Sequence, residues 1–179
     1  MRWEGFATGV VLMACGGVAI AQPSQDAMED RTVLGALSLL GVPRAEWPQI
    51  KFGAPEGYVE PDRSLELFGA FRVRRGRELD PVIYLNPNHQ FYLEARSGGT
   101  DVYPLFRLAS VIWHEMQHGK GAVSEASALE AQAAFLRRAL IRIPVERRGR
   151  AMAYIASLER AVPAARQWDA SGRYPSVPQ

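Results

Sequence analysis

The chain has 179 residues, of which 47% are apolar and 22% charged, and this composition predicts one folded domain and excludes wholesale disorder. Its 21 basic and 19 acidic residues give a net charge of +2, which argues against nucleic acid or an acidic membrane surface as a partner. The basic residues are almost all arginines, and we interpret their clusters as solvated faces. Because Cys15 is the single cysteine, any bound metal ion must be held by histidines and carboxylates.

The first 21 residues are expected to be an export signal. An apolar run rich in small residues follows Arg2 and ends in Ala19-Ile20-Ala21. Signal peptidase accepts small residues three and one before the cut, which favours cleavage after Ala21. The segment Leu12-Met13-Ala14-Cys15 also resembles a lipoprotein signal, and in that alternative a lipid on Cys15 tethers the protein to the membrane. Both alternatives place the protein outside the cytoplasm, periplasmic or secreted.

The remaining chain is predicted to be one α+β domain over residues 22–165, followed by a C-terminal tail over 166–179. Apolar residues at helical spacing predict an N-terminal helix over 24–40, which Ser24 would cap and Gly41 would end. Alternating, β-branched and aromatic segments then predict a small, mostly antiparallel sheet. Its strands are expected at residues 49–52, 65–74, 81–85 and 91–95.

Three helices are predicted after the sheet, over residues 104–119, 124–141 and 146–161. Pro104 suits the first turn of the first helix, and Gly119 and Gly121 end it. Ser124 is the expected cap of the second helix. The first helix has a continuous apolar face, formed by Leu105, Leu108, Ala109, Ile112 and Met116.

The first of these helices contains the motif His114-Glu115-Met116-Gln117-His118, which has the form HExxH. A spacing of four residues places both imidazoles on one helical face, so both can bind a single Zn²⁺. Glu115 is rotated by about 100° from His114 and can instead reach a water molecule at the metal. Zinc lowers the pKa of such a water to about 7, and Glu115 can accept its proton as general base.

A tetrahedral catalytic site needs a third protein ligand, and the following helix offers Glu125 and Glu130. Glu125 shares a face with the apolar residues of that helix, whereas Glu130 lies about 140° away, beside Arg137. A carboxylate on an apolar face is costly unless a cation meets it, which favours Glu125. Glu130 remains the alternative, although it is also expected to form a salt bridge with Arg137 or Arg138.

These residues resemble the gluzincin type of zincin metallopeptidase, in which a helix bears HExxH and a following helix supplies a glutamate, often within an E-x-x-A pattern. The segments Glu125–Ala128 and Glu130–Ala133 both fit that pattern. The chain is also similar to small exported bacterial proteins of metallopeptidase type whose activity is uncharacterised. The resemblance covers about residues 80–140 and implies a zinc peptidase with a peptide or protein substrate. It also implies that the segment Val82–Leu85 is the edge strand that pairs with substrate.

Two features concern the details of such a site. Only six residues separate His118 from Glu125, fewer than is usual in gluzincins, so a tight turn is expected between the two helices. A donor for the oxyanion is also required when water attacks a carbonyl. The candidates for this donor are His89, Tyr84, Tyr103 and Tyr154.

Three hypotheses for the function follow. The leading one is an exported zinc-dependent hydrolase, a peptidase, with His114, His118 and Glu125 as zinc ligands and Glu115 as general base. The alternative is an exported envelope protein that binds zinc without catalytic turnover, which the small size of the chain suggests. The third is a metal-free envelope lipoprotein in which HExxH occurs by chance.

Overall fold

The computed structural model describes residues 25–54, 69–72, 74–75, 78–119 and 124–171. Over these ranges the chain has an α+β fold with five α-helices and a small mixed sheet, which confirms the predicted class. The predicted leader and residues 172–179 of the predicted tail lie outside the described residues. In the ranges that the structure describes, no helix is both long and apolar enough to cross a membrane.

The described strands are very short. Two of them, Arg74–Arg75 (β4) and Glu78–Leu79 (β5), form an antiparallel pair that is separate from the main sheet. The four remaining strands lie in the order β1-β2-β6-β3, with β2 parallel to β6 and both outer strands antiparallel to their neighbours. The strands are β1 (Gln25–Asp26), β2 (Ile50–Phe52), β3 (Ala70–Phe71), β4 (Arg74–Arg75), β5 (Glu78–Leu79) and β6 (Ile83–Leu85).

The interpretation of Val82–Leu85 as an edge strand is wrong. In the described sheet β6 lies between β2 and β3, and Tyr84 is paired with Lys51 on one side and with Phe71 on the other. All three residues of β6 are buried, which is typical of an interior strand. Among the described strands, the edge on this side of the sheet is β3.

Five helices follow or flank the sheet, and short 3₁₀ turns lie at Arg44–Glu46 and Leu140–Arg142. Four of the helices come after the last strand, and the last three of them pack side by side, with Glu125–Ala139 between Val102–Gly119 and Val145–Ser171. The helices are α1 (Arg31–Ser38), α2 (Gln90–Ser97), α3 (Val102–Gly119), α4 (Glu125–Ala139) and α5 (Val145–Ser171).

The first helix begins later than predicted. Asp30 caps α1 because its carboxylate accepts hydrogen bonds from the amides of Thr32 and Val33, at 2.9 and 3.0 Å. Residues 25–26, which were predicted to be helical, pair with β2 instead. A better cap further along the chain and a long-range strand pairing therefore override the helical pattern at its start.

The strand predicted at residues 91–95 is also wrong, since this segment belongs to α2. His89 caps the helix, and its Nδ1 accepts a hydrogen bond from the Phe91 amide at 3.2 Å. Tyr92 and Ala95 are the buried residues of α2, and their spacing is that of one helical face. The aromatic content suggested a strand, but the burial pattern is helical.

The last helix is longer than predicted, so residues 166–171 are not a tail. Helix α5 continues through Pro163, although a proline removes one backbone hydrogen bond in a helix interior. Val162 and Ala165 pack against Ala126 of α4, and this burial stabilises the extension. The C-terminal turn of α5 is thereby brought to the start of α4.

Helix α3 lies at the centre of the core, with its predicted apolar face packed inward. Leu108, Ala109 and Ile112 are fully buried, against α1 and the sheet on one side and α4 on the other. The core residues contributed by the other elements include Val33, Leu37, Ile50, Ile83, Leu85, Leu136 and Ile155. The helix that carries HExxH is therefore anchored in the core of the fold.

Candidate metal centre

Helix α3 places His114 and His118 one turn apart on the side that faces α4. His114 is buried, His118 is half-buried, and their Nε2 atoms lie 3.2 Å apart. Ile112 and Met116 on the inward face anchor the same two turns in the core. The two imidazoles therefore converge on one point, as the spacing of HExxH predicts.

Helix α4 brings a carboxylate to the same point. Ser124 caps the helix by accepting a hydrogen bond from the Ser127 amide, so that Glu125 is the first helical residue. Oε1 of Glu125 lies 3.3 Å from Nε2 of His114, and Oε2 lies 3.2 Å from Nε2 of His118. The predicted three-residue group is thus brought together in space, and it could hold a metal ion.

The spacing of these atoms can be compared with what a metal requires. A tetrahedral ion about 2.0–2.1 Å from each ligand atom separates the ligand atoms by about 3.3 Å. The two imidazole Nε2 atoms lie 3.2 Å apart, and each lies 3.2–3.3 Å from a different oxygen of the Glu125 carboxylate, so the contacts between the side chains are close to this value. Two imidazole nitrogens and a carboxylate are also a donor set that divalent transition metals accept. The residues present therefore form a group that could hold a metal ion through two imidazoles and one carboxylate.

The charge state of Glu125 favours metal binding. Burial by itself raises the pKa of this carboxyl, but the hydrogen bonds and charges of His114 and His118 outweigh burial and lower the pKa to about 2. The side chain is consequently an anion at neutral pH. An ionised carboxylate between two imidazoles is ready to accept a cation.

Glu115 is buried beside the metal group, with only 8% of its surface exposed. Burial raises the pKa of Glu115, while the charges of His114, His118 and Arg72 oppose this shift. Arg72 follows β3, and a Cβ atom on Gly119 would lie 2.6 Å from its Nη1, so the guanidinium rests on the C-terminal end of α3. Glu115 therefore lies close both to the cationic Arg72 and to the carboxylate of Glu125, whose negative charge adds to the rise in the pKa of Glu115.

Two contacts below the metal group hold α3 and α4 in register. The Nε2 of Gln132, in α4, donates to Ser110 Oγ at 3.1 Å and to the Tyr154 hydroxyl at 3.2 Å. Trp113 and Phe135 stack across the same interface, with ring centroids 5.8 Å apart. Ser110 lies one turn before His114, so the face that carries the ligand also makes the supporting hydrogen bond. The relative positions of the candidate metal ligands therefore depend on the packing of α3 against α4.

Sequence reasoning placed Gln132 on the apolar face of α4 but assigned it no role. It is 4% exposed and satisfied by the two contacts above. A polar side chain on a buried face is itself a signal, because it needs a hydrogen-bond partner. The identity of that partner depends on the packing of three helices.

The alternative ligand, Glu130, lies outside the metal group. Its carboxylate is half exposed and bonds Arg166 of α5 at 2.6 Å. The expected salt bridge with Arg137 or Arg138 is therefore wrong, since Arg137 pairs with Glu159 instead. A partner from α5 was not foreseen because that part of the chain was predicted to be a tail.

The candidate oxyanion donors have other described contacts. His89 caps α2 through Nδ1, Tyr103 donates its hydroxyl hydrogen to the Arg150 carbonyl at 3.3 Å, and the Tyr154 hydroxyl bonds Gln132. The ring of Tyr84 packs against Phe71. The role of oxyanion donor therefore stays a prediction for these four residues.

A groove of about 490 Å³ lies away from the metal group, near the start of α3. It is lined in part by Tyr103, Arg107 and Arg150. Arg107 already pairs with Glu94 at 2.5 Å and lies over the ring of Phe91, 4.5 Å from its centroid. The described lining of this groove contains none of His114, His118 and Glu125, so it is separate from the metal group.

Comparisons with known proteins give no information on function, so any proposal rests on the residues described above. No protein-family model matches the chain, and searches of curated proteins and of solved structures find no significant match.

Proposed function

We propose that this protein is a zinc-dependent hydrolase in which His114, His118 and Glu125 hold the metal and Glu115 is the general base. The observation that carries the proposal is the cluster of three side chains: the two imidazole Nε2 atoms lie 3.2 Å apart, and each lies 3.2–3.3 Å from one oxygen of the Glu125 carboxylate. These atoms come from two helices whose packing is independently fixed by the core. The packing of two helices therefore holds the three side chains together, and the HExxH pattern accounts for only two of them.

The donor set supports zinc and a catalytic site. Zinc accepts histidine and carboxylate ligands in tetrahedral geometry, and structural zinc sites are closed by four protein ligands. Among the described residues the group has three members, as in catalytic sites that leave the fourth position to water or substrate. When bound, zinc would supply Lewis acidity and a water of pKa about 7.

Glu115 is the residue placed to move the proton. It is buried, which shields it from bulk solvent, and its charge interacts with those of His114, His118 and Glu125, which supports a position close to the metal group. In hydrolysis it would accept the proton of the attacking water and later deliver it to the leaving group. We propose a peptide or protein as substrate and an extracytoplasmic location. These two parts rest on the gluzincin resemblance and on the predicted leader.

The test is a comparison of metal content and hydrolysis in Glu115→Gln and wild type. We expect wild type to contain one zinc per chain, and Glu115→Gln to keep that zinc while peptide hydrolysis falls by about 10²- to 10⁴-fold, as is typical when a general base is lost. Glu146→Gln, an exposed change on α5, is the matched control and should retain both properties.

The other outcomes separate the hypotheses. Zinc in wild type without hydrolysis of a broad peptide library would favour the zinc-binding protein without turnover. Purified protein without stoichiometric zinc at neutral pH would refute both zinc hypotheses. Equal hydrolysis by Glu115→Gln and wild type would refute the role of Glu115.

A further inference from the structure

The last turn of α5 holds the first turn of α4 through one carboxylate. Asp169 Oδ1 accepts a hydrogen bond from the Glu125 amide at 3.0 Å, and Oδ2 accepts one from the Ala126 amide at 3.1 Å. The hydroxyl of Ser124 donates to the same Oδ2 at 2.6 Å. Asp169 therefore binds three consecutive residues, and the middle one carries the carboxylate that faces His114 and His118.

These contacts satisfy backbone amides at the start of α4. The first amides of a helix have no partner within the helix, and the Ser124 hydroxyl satisfies one of them, that of Ser127. Asp169 satisfies the two amides before it, those of Glu125 and Ala126, and its negative charge is favourable at the positive end of the helix dipole. Without Asp169, Glu125 would stand on a helix end with unpaired amides and a tendency to fray.

The position of Glu125 makes fraying important for the metal group. A ligand on the first residue of a helix moves whenever the first turn opens, whereas His114 and His118 lie within the anchored α3. A useful site holds its ligands within about 0.5 Å of the required geometry. The packing of Val162 and Ala165 against Ala126 fixes α5 next to this turn, so Asp169 is presented by a firmly packed helix.

We propose that Asp169 is a positioning residue for the metal centre, which holds the backbone of Glu125 so that its carboxylate meets the two imidazoles. The inference rests on the proposed zinc site and assigns a role in it to the C-terminal helix. It implies that docking of α5 and metal binding are coupled, because each stabilises the same turn of α4. Loss of a residue that orients a ligand typically lowers metal affinity by about 10- to 100-fold.

The chain offers a matched control for the loss of a helix cap. Asp30 also accepts two backbone amides, from Thr32 and Val33, and one hydroxyl, from Tyr92 at 3.0 Å. It caps α1, and the described contacts of its carboxylate are with α1 and α2 only. Asp169→Ala and Asp30→Ala therefore both remove bonds to two backbone amides and one hydroxyl at the start of a helix, but only the first acts on a metal ligand.

The experiment measures the zinc dissociation constant by competition with a chelator, the visible spectrum of the Co²⁺-loaded protein and the melting temperature of the metal-free protein. We expect both variants to melt at lower temperature than wild type. Only Asp169→Ala should bind zinc about 10- to 100-fold more weakly and show an altered Co²⁺ spectrum at saturation. Asp169→Asn should recover part of the affinity, because the amide oxygen can still accept the bonds made to Oδ2.

Two results would overturn the inference, and they are distinguishable. If Asp169→Ala keeps the zinc affinity and Co²⁺ spectrum of wild type while its melting temperature falls as in Asp30→Ala, Asp169 is a structural cap only. The proposed zinc site would survive that result. If wild type itself binds no zinc, the proposed function fails first and the positioning role fails with it.

Discussion

Replacement of Glu125 by alanine is the most direct test of the metal site, and Glu130→Ala is its natural counterpart. Both glutamates lie on α4 and both match the E-x-x-A pattern, but only Glu125 lies 3.2–3.3 Å from the two imidazoles. Glu130 bonds Arg166 on the outer surface. We expect Glu125→Ala to lose tight zinc binding and Glu130→Ala to retain it.

The size of the effect can be worked from the number of ligands. Zinc sites with four protein ligands have apparent binding free energies of about 10–16 kcal/mol, which is about 2.5–4 kcal/mol per ligand. Removal of one ligand should therefore weaken zinc binding by about 10²- to 10³-fold. Loss of the exposed Glu130–Arg166 pair should cost less than about 1 kcal/mol of folding stability and leave zinc affinity unchanged.

Thermal unfolding with and without zinc reports this difference. At a free zinc concentration of about 1,000 times the wild-type dissociation constant, binding adds about 4 kcal/mol of stability. For a domain of this size, that corresponds to a rise in melting temperature of about 8–16 °C. Under the same conditions Glu125→Ala should gain only about 0.4–1.4 kcal/mol, because zinc then exceeds its dissociation constant only about 1- to 10-fold.

Chelation provides the internal control, since removal of zinc should bring wild type and Glu130→Ala down to their metal-free melting temperatures. The reasoning would be refuted if Glu130→Ala lost the response to zinc and Glu125→Ala kept it. If zinc stabilised both variants as much as it stabilises wild type, neither carboxylate would be the third ligand.

Two further predictions concern the scaffold around the site. Gln132→Ala should lower the free energy of unfolding, measured by urea denaturation, by about 2–3 kcal/mol, because it leaves a cavity and removes the hydrogen bonds to Ser110 and Tyr154. The control is Gln167→Ala on the exposed face of α5, which should change this free energy by less than about 0.5 kcal/mol. A loss as small as that of Gln167→Ala would contradict the buried network. His89→Asn should leave zinc affinity unchanged, because His89 caps α2 and asparagine also caps helices well. A large loss of zinc affinity in this variant would indicate that His89 is a metal ligand.

Several parts of the fold and of the site could be predicted from local sequence. The HExxH spacing and the apolar residues of α3 act within one helix, so the convergence of His114 and His118 follows from helical geometry alone. The inward direction of Glu125 likewise follows from its place on the apolar face of α4. The strands predicted at residues 49–52 and 81–85 are found at Ile50–Phe52 and Ile83–Leu85, and the β-branched and aromatic composition that predicted the second is a local property.

Other features depend on partners far along the chain. Asp169 meets the Glu125 amide across 44 residues, and Gln132 meets Ser110 across 22. Glu130 finds its partner in Arg166, and β3 rather than β6 forms the sheet edge because of strand order. None of these pairings leaves a periodic signal in the residues that make it.

The sequence by itself determined which side chains are suited to bind a metal and which helical faces they occupy, because donor chemistry and helical periodicity are local. The tertiary structure alone decided that the ligand atoms of two helices come within 3.2–3.3 Å of each other. It also decided that the end of α5 closes the turn on which the third ligand stands. Distances between helices depend on how side chains of the whole core pack together, and that information is distributed over the entire chain.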